Sequence, residues 1–221
     1  MYFSRMHLNP RRRTTRAMLR NPQLTHSMVM AAFPPQVHQR IVDGDADGRI
    51  LWRLDREGDT LSLYITAPER PSFDHIREQA GWENTDTADT RDYTAVLDGI
   101  AAGDRYGFRL EANPVRTVTD PDTGTKKLRA HTTSEHKVRW LTERAERLGV
   151  RFPVKPLDIG GAPTLRFKRG GDGDSEMTLA RARYEGVVEV VDPQRFAEAL
   201  RRGVGKGRAY GCGLITIAPL R

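Results

Sequence analysis

Cysteine is nearly absent: a single thiol, Cys212, stands in 221 residues. No intramolecular disulfide can form, which excludes a disulfide scaffold and fits a reducing, cytoplasmic setting. No apolar stretch approaches the roughly 18 residues that a membrane span requires. Met1 to Pro10 contain neither an apolar signal region nor a small-residue cleavage site. No membrane partner is expected.

Motifs of metal and cofactor chemistry are missing too. Gly-x-Ser-x-Gly and His-Glu-x-x-His do not occur, no cysteine pair is available for zinc, and His131 and His136 lie off a common helical face. Asp43, Asp45, Asp47 and Gly48 imitate the start of a calcium loop. Its last position, where a bidentate acid belongs, is Leu54 in an expected strand. The chain is therefore expected to use no metal and no cofactor.

Acid is in short supply, with 36 Lys and Arg against 29 Asp and Glu, a net charge of +7 and a pI near 9.8. A mean hydropathy of -0.61 describes a soluble globular protein, and the excess charge favours a polyanionic partner. The cations are clustered. Arg11, Arg12, Arg13, Arg16 and Arg20 crowd one segment; Arg166, Lys168, Arg169, Arg181 and Arg183 flank a turn; Lys206 and Arg208 form a third group.

That third group sits in the run Gly203-Val204-Gly205-Lys206-Gly207-Arg208-Ala209-Tyr210-Gly211-Cys212-Gly213. Gly203, Gly205, Gly207, Gly211 and Gly213 permit positive φ and uncover backbone N–H groups, so the run can cradle phosphate. It lacks the Gly-Lys-Ser/Thr ending and following helix of a P-loop, which weakens a nucleotide-binding enzyme as an alternative.

Alternation and turn signals predict strands at 2–8, 50–54, 60–65 and 93–97, with helices from Pro22 to about Ala32, capped by Asn21, and over 73–80. The second half predicts a strand at 105–112 and a helix capped by Thr132 with Glu135, burying Val138, Leu141, Ala145 and Leu148. Strands at 152–159, 164–168 and 177–184 follow, then an Asp192-capped helix and a last strand after the glycine run. The fold class is α+β: two tandem ferredoxin-like (RRM-like, βαββαβ) domains, 1–98 and 99–221. The first carries the candidate catalytic residue, the second the basic hairpin and the glycine-rich loop.

That candidate is His26. On the helix beginning at Pro22, Leu24, Met28 and Ala31 define an apolar face, and His26 lies roughly opposite Leu24, toward solvent or a cleft. A surface histidine without a role is the plain alternative. A histidine among cations near a phosphodiester can act as general acid or base near neutral pH without a metal.

Several stretches in order give a resemblance: Met1-Tyr2-Phe3-Ser4-Arg5-Met6, His26 followed by Phe33-Pro34, Phe108-Arg109-Leu110-Glu111-Ala112-Asn113-Pro114, Trp140-Leu141, Tyr184-Glu185-Gly186, and the glycine run leading into Ala218-Pro219-Leu220. The chain resembles the CasE-type CRISPR-associated endoribonucleases, the repeat-cleaving subunit of type I-E surveillance complexes, members of the RAMP superfamily. The resemblance implies tandem ferredoxin-like domains, a CRISPR repeat RNA hairpin and other complex subunits as partners, and metal-independent cleavage with His26 as the catalytic histidine. The 2′-OH would attack the neighbouring phosphate, leaving a 2′,3′-cyclic phosphate and a 5′-OH. Many relatives carry tyrosine three residues before that histidine, where this chain has Gln23, and some carry a lysine shortly after it, where this chain has Met30 and Ala31. A non-catalytic RNA-binding scaffold subunit is the alternative.

Overall fold

The computed structural model describes residues 1–83, 85–121, 123–158, 160, 164–168 and 176–220. In chain order the elements are β1 (Tyr2–Leu8), α1 (Arg13–Arg20), α2 (Pro22–Met30), α3 (Pro35–Asp43), β2 (Leu51–Glu57), β3 (Thr60–Ala67), α4 (Asp74–Ala80), β4 (Ala88–Asp92) and α5 (Thr94–Asp98). The second half continues with β5 (Arg105–Ala112), β6 (Val115–Thr119), β7 (Lys126–Ala130), α6 (Ser134–Thr142), α7 (Ala145–Leu148), β8 (Val150–Arg151) and β9 (Leu157–Asp158). It closes with β10 (Leu165–Lys168), β11 (Glu176–Leu179), β12 (Ala182–Val190), α8 (Pro193–Arg202) and β13 (Ile215–Pro219).

The first half forms an antiparallel sheet in the order β2-β3-β1-β4, the second a sheet in the order β13-β5-β12-β8 with β9 also on β12. Both are the ferredoxin-like order, so the fold is a tandem ferredoxin-like α+β structure. Alternation explains which face each strand buries: Met6 and Leu8 of β1 and Leu63 and Ile65 of β3 point into one core, Leu110 and Ala112 of β5 with Tyr184 of β12 into the other. No helix among the described residues is long and apolar enough to cross a membrane.

Several expected elements differ. Residues 93–97 were expected as a strand but lie in and beside helix α5, because the Asp92 carboxylate accepts the Thr94 N–H at 2.8 Å and starts a turn. The strand at 152–159 is reduced to β9, since Pro153 and Pro156 have no N–H to give a ladder. The strand at 177–184 breaks after Leu179 into β11 and β12. The cap of α6 is Thr133, whose side chain accepts the His136 N–H, and Thr132 stands outside it. Ala145 begins a separate turn, α7. The turn expected at 169–174, with Arg169, lies outside the described residues.

The halves meet at a buried arginine. Arg53 of β2 is 1% exposed, yet each of its five N–H groups has an acceptor. Nε and Nη2 donate to the Asp55 carboxylate at 2.7 and 2.8 Å. Nη1 donates to the carbonyls of Arg109 and Leu214 at 3.2 and 3.0 Å, and Nη2 also to Thr216 Oγ1 at 2.9 Å. The last three acceptors belong to β5, β13 and the residue before β13. Arg109 adds a second guanidinium to Asp55 at 3.2 Å. Burial alone would raise the Asp55 carboxyl, but the bonds and charges of Arg53 and then Arg109 outweigh it and hold it below the ordinary carboxylate value. Arg53→Ala strands that carboxylate and the carbonyls facing it, so denaturant unfolding should show a loss of about 3–5 kcal/mol.

Candidate catalytic centre and nucleic-acid interface

Helix α2 is set by its first residues. The Asn21 side chain accepts the Gln23 N–H at 3.0 Å, and Pro22 occupies the first turn, where its missing N–H costs nothing. The buried face comprises Pro22, Thr25, Met28 and Val29, rotated from the expected Leu24, Met28 and Ala31. Thr25 Oγ1 donates to the Met18 carbonyl at 2.9 Å and locks α2 onto α1.

His26 therefore sits on the flank of α2, half-buried rather than opposite the core. Its Nδ1 is sealed from solvent without a partner, while Nε2 is neither sealed nor hydrogen-bonded. The ring of Tyr210, from the glycine-rich loop of the other half, meets the imidazole edge-on with centroids 6.2 Å apart. Burial, and then the charge of His38 on α3, lower the His26 imidazole below the ordinary histidine value. It is consequently neutral at neutral pH, with one ring nitrogen open to a ligand.

The glycine-rich loop is more closed than expected. The N–H groups of Val204, Tyr210, Cys212 and Gly213 all donate to backbone carbonyls, so these four are not offered to a phosphate. Its glycines serve close approach instead. Gly207 and Gly211, at φ 84° and 80°, bracket a 3-10 turn, Arg208–Tyr210, which carries the tyrosine. A Cβ on Gly211 would stand 2.7 Å from the Trp52 ring, and one on Gly205 3.0 Å from Trp140. Gly203 and Gly213 also hold positive φ. Trp52 Nε1 donates to the Ala209 carbonyl at 3.2 Å and fixes the turn against the first half. Cys212 is buried with Phe167 and Leu179.

Some of the cations are exposed, and some are turned into the fold. Arg13, Arg16 and Arg20 line one exposed face of α1, and Arg11 is exposed beside them, whereas Arg12 pairs with Glu83 at 3.3 Å. Arg166 and Lys168 are exposed on β10, and Lys206 on the loop. Arg208 is turned inward, donating to the Arg202 and Gly203 carbonyls at the end of α8. Arg181 is held by Glu111 at 2.5 Å, and half-buried Arg183 lies 3.6 Å from Glu111 and 3.8 Å from Asp55.

Two further candidate elements carry little sequence signal. The β6–β7 ribbon carries Arg116, Lys126, Lys127 and Arg129. Its signal was the turn-rich Asp120-Pro121-Asp122-Thr123-Gly124, but with every β7 residue exposed no half-buried alternation marks it. Tyr210 had no local signal, since only folding brings it to His26. The acidic loop at 43–48 pairs Asp47 with Arg201 at 3.4 Å.

The family model described as CRISPR associated protein matches residues 1–219. The CRISPR-associated endoribonuclease Cse3 of Thermus thermophilus is 30% identical over 228 residues, spanning 99% of this chain and 100% of that protein. Thermus thermophilus Cse3 bound to an RNA representing a pre-cleavage complex superposes with a TM-score of 0.73 at 28% identity, covering 99% of this chain and 98% of that one. The Cascade subunit CasE of Escherichia coli is 28% identical over 120 residues, 51% of this chain and 57% of that protein.

Gly211→Ala tests the loop's packing. A side chain at φ 80° facing the Trp52 ring should cost about 1–3 kcal/mol of stability and shift tryptophan emission as the turn leaves its seat.

Proposed function

Because the chain belongs to the CRISPR-associated protein family as a CasE-type member, we propose that it binds the stem-loop of a CRISPR repeat and cuts precursor CRISPR RNA beside it. It would do so as a subunit of a type I-E surveillance complex. The observation that carries this reading is His26: a neutral imidazole with Nε2 open, on a helix packed against α1 and β10, two elements that carry exposed cations.

The chemistry needs one proton removed and one supplied. His26 Nε2 accepts the proton of the ribose 2′-OH, the 2′-oxygen bonds to the adjacent phosphorus, and the bond from phosphorus to the 5′-oxygen breaks in line. That oxygen takes a proton and leaves as a 5′-OH, and the other product ends in a 2′,3′-cyclic phosphate. No step requires a metal. Helix α2 holds no second titrating group near His26, since Gln23 cannot exchange a proton, and it holds no Lys or Arg. Stabilisation of the phosphorane charge must come from outside α2. Arg11, Arg13, Arg16 and Arg20 on and beside α1, Arg166 and Lys168 on β10, and Lys206 are the exposed cations proposed to hold RNA phosphates. Arg12, Arg181 and Arg208 are already engaged within the fold, whereas half-buried Arg183 stands 3.6 Å or more from its neighbouring carboxylates; all four support that surface.

In EDTA, cleavage of a repeat hairpin should persist, and His26→Ala should reduce the single-turnover rate about 10²–10⁴-fold with RNA affinity kept. Binding without cleavage by the unaltered protein would instead favour the scaffold reading. A base with a lowered pKa also sets the sign of the pH profile. The rate should climb with pH below the ordinary histidine value of about 6.5 and then level off; a rate that falls across that range would assign His26 the acid role.

A further inference from the structure

Tyr210, whose ring meets His26, also walls a cavity that the proton transfer leaves unused. Its volume is ≈ 320 Å³, inside the range of roughly 300–1,000 Å³ typical of small-ligand sites. Two of its walls connect to the candidate catalytic residue. Pro22 stands one helical turn before His26 on α2, and Tyr210 is the residue whose ring meets the imidazole.

The lining has two characters. Met18 and Leu54 with the rings of Trp52 and Tyr210 give it apolar and aromatic surface, while Arg56, Arg181 and Arg183 bring three guanidiniums to it and Glu111 one carboxylate. The guanidiniums are not equally occupied. Arg181 is bound to Glu111 at 2.5 Å. Arg183 approaches Glu111 and Asp55 only to 3.6 and 3.8 Å, beyond hydrogen-bond distance. Arg56 is exposed and, among the described residues, bonds only to the Gly58 carbonyl, at 3.3 Å. Two guanidiniums thus keep donors for an anion at the edge of a ring-walled hollow.

A nucleotide has the matching shape: a flat base for the apolar wall and a phosphate for the guanidiniums. A base paired within an A-form stem is not free to enter, so the occupant must be unpaired. We propose that this cavity receives the base of an unpaired nucleotide adjoining the bond that is cut, with Arg56 and Arg183 at its phosphate. The proposal rests on the RNA-cleavage reading above. Seating that base fixes the neighbouring ribose and phosphate relative to His26, so its effect belongs in the rate of the chemical step.

A non-cleavable hairpin with 2′-deoxyribose at the cut site and 2-aminopurine at the flanking nucleotide tests occupancy without requiring the reaction. The expected result is quenching of 2-aminopurine on binding, lost in Leu54→Trp, which fills the hollow, and weakened in Arg56→Gln, whose side chain is exposed and does not hold the fold. With cleavable RNA, an abasic flanking nucleotide should lower kcat roughly 10- to 100-fold. Leu54→Trp should lower it similarly on intact RNA, and the two together should cost no more than either alone. Unchanged emission on binding, or losses that multiply, would overturn the proposal. Equally strong binding of free 2-aminopurine riboside monophosphate would overturn the assignment to RNA. If the cleavage reading alone is wrong, quenching survives in RNA that is never cut.

Discussion

Arg53 carries five N–H donors into a place without water, and neither half of the molecule can satisfy them alone. Asp55, on the same strand, takes two, and three acceptors of the other sheet take the rest. A buried guanidinium with an open donor is costly, whereas a fully bonded one specifies a single geometry. The angle and register between the two ferredoxin-like halves are therefore set by hydrogen-bond directions, which slide far less readily than an apolar seam would.

The candidate site inherits its precision from that contact. Trp52, the neighbour of Arg53, holds the Ala209 carbonyl and presses its ring on Gly211. Those contacts seat the 3-10 turn, and the turn carries Tyr210 to His26. A histidine on one half thus meets a ring from the other, while burial and the charge of His38 keep its imidazole neutral. The glycines serve this packing more than phosphate binding, since several loop N–H groups already have internal acceptors. The proposed RNA contact then falls to the exposed side chains around the seam.

Local chemistry was legible wherever it decided the structure. Asn21-Pro22 and Asp192-Pro193 both begin helices as capped starts. Arg105–Ala112 is a strand that turns Phe108, Leu110 and Ala112 into the core as expected, although Glu111 on its other face is buried too. Misreadings arose where a local bond or a missing donor overrode the pattern. The Asp92 carboxylate turned a five-residue apolar run into α5, and two prolines cut a long strand down to β9. The β6–β7 ribbon has no buried face, so periodicity had nothing to report.

Sequence by itself pointed to a polyanionic partner, through charge clustering, and determined the ferredoxin-like plan of each half, through periods and caps that act within a few residues. It also singled out His26 as the side chain to watch. Tertiary structure decided which cations remain exposed, that Arg208 and Arg181 turn inward, and that Tyr210 closes on a histidine 184 positions earlier in the chain. The reason is one of range. Propensity and capping are fixed by neighbours in sequence, whereas burial, pairing and pKa depend on groups that only folding brings within a few ångströms.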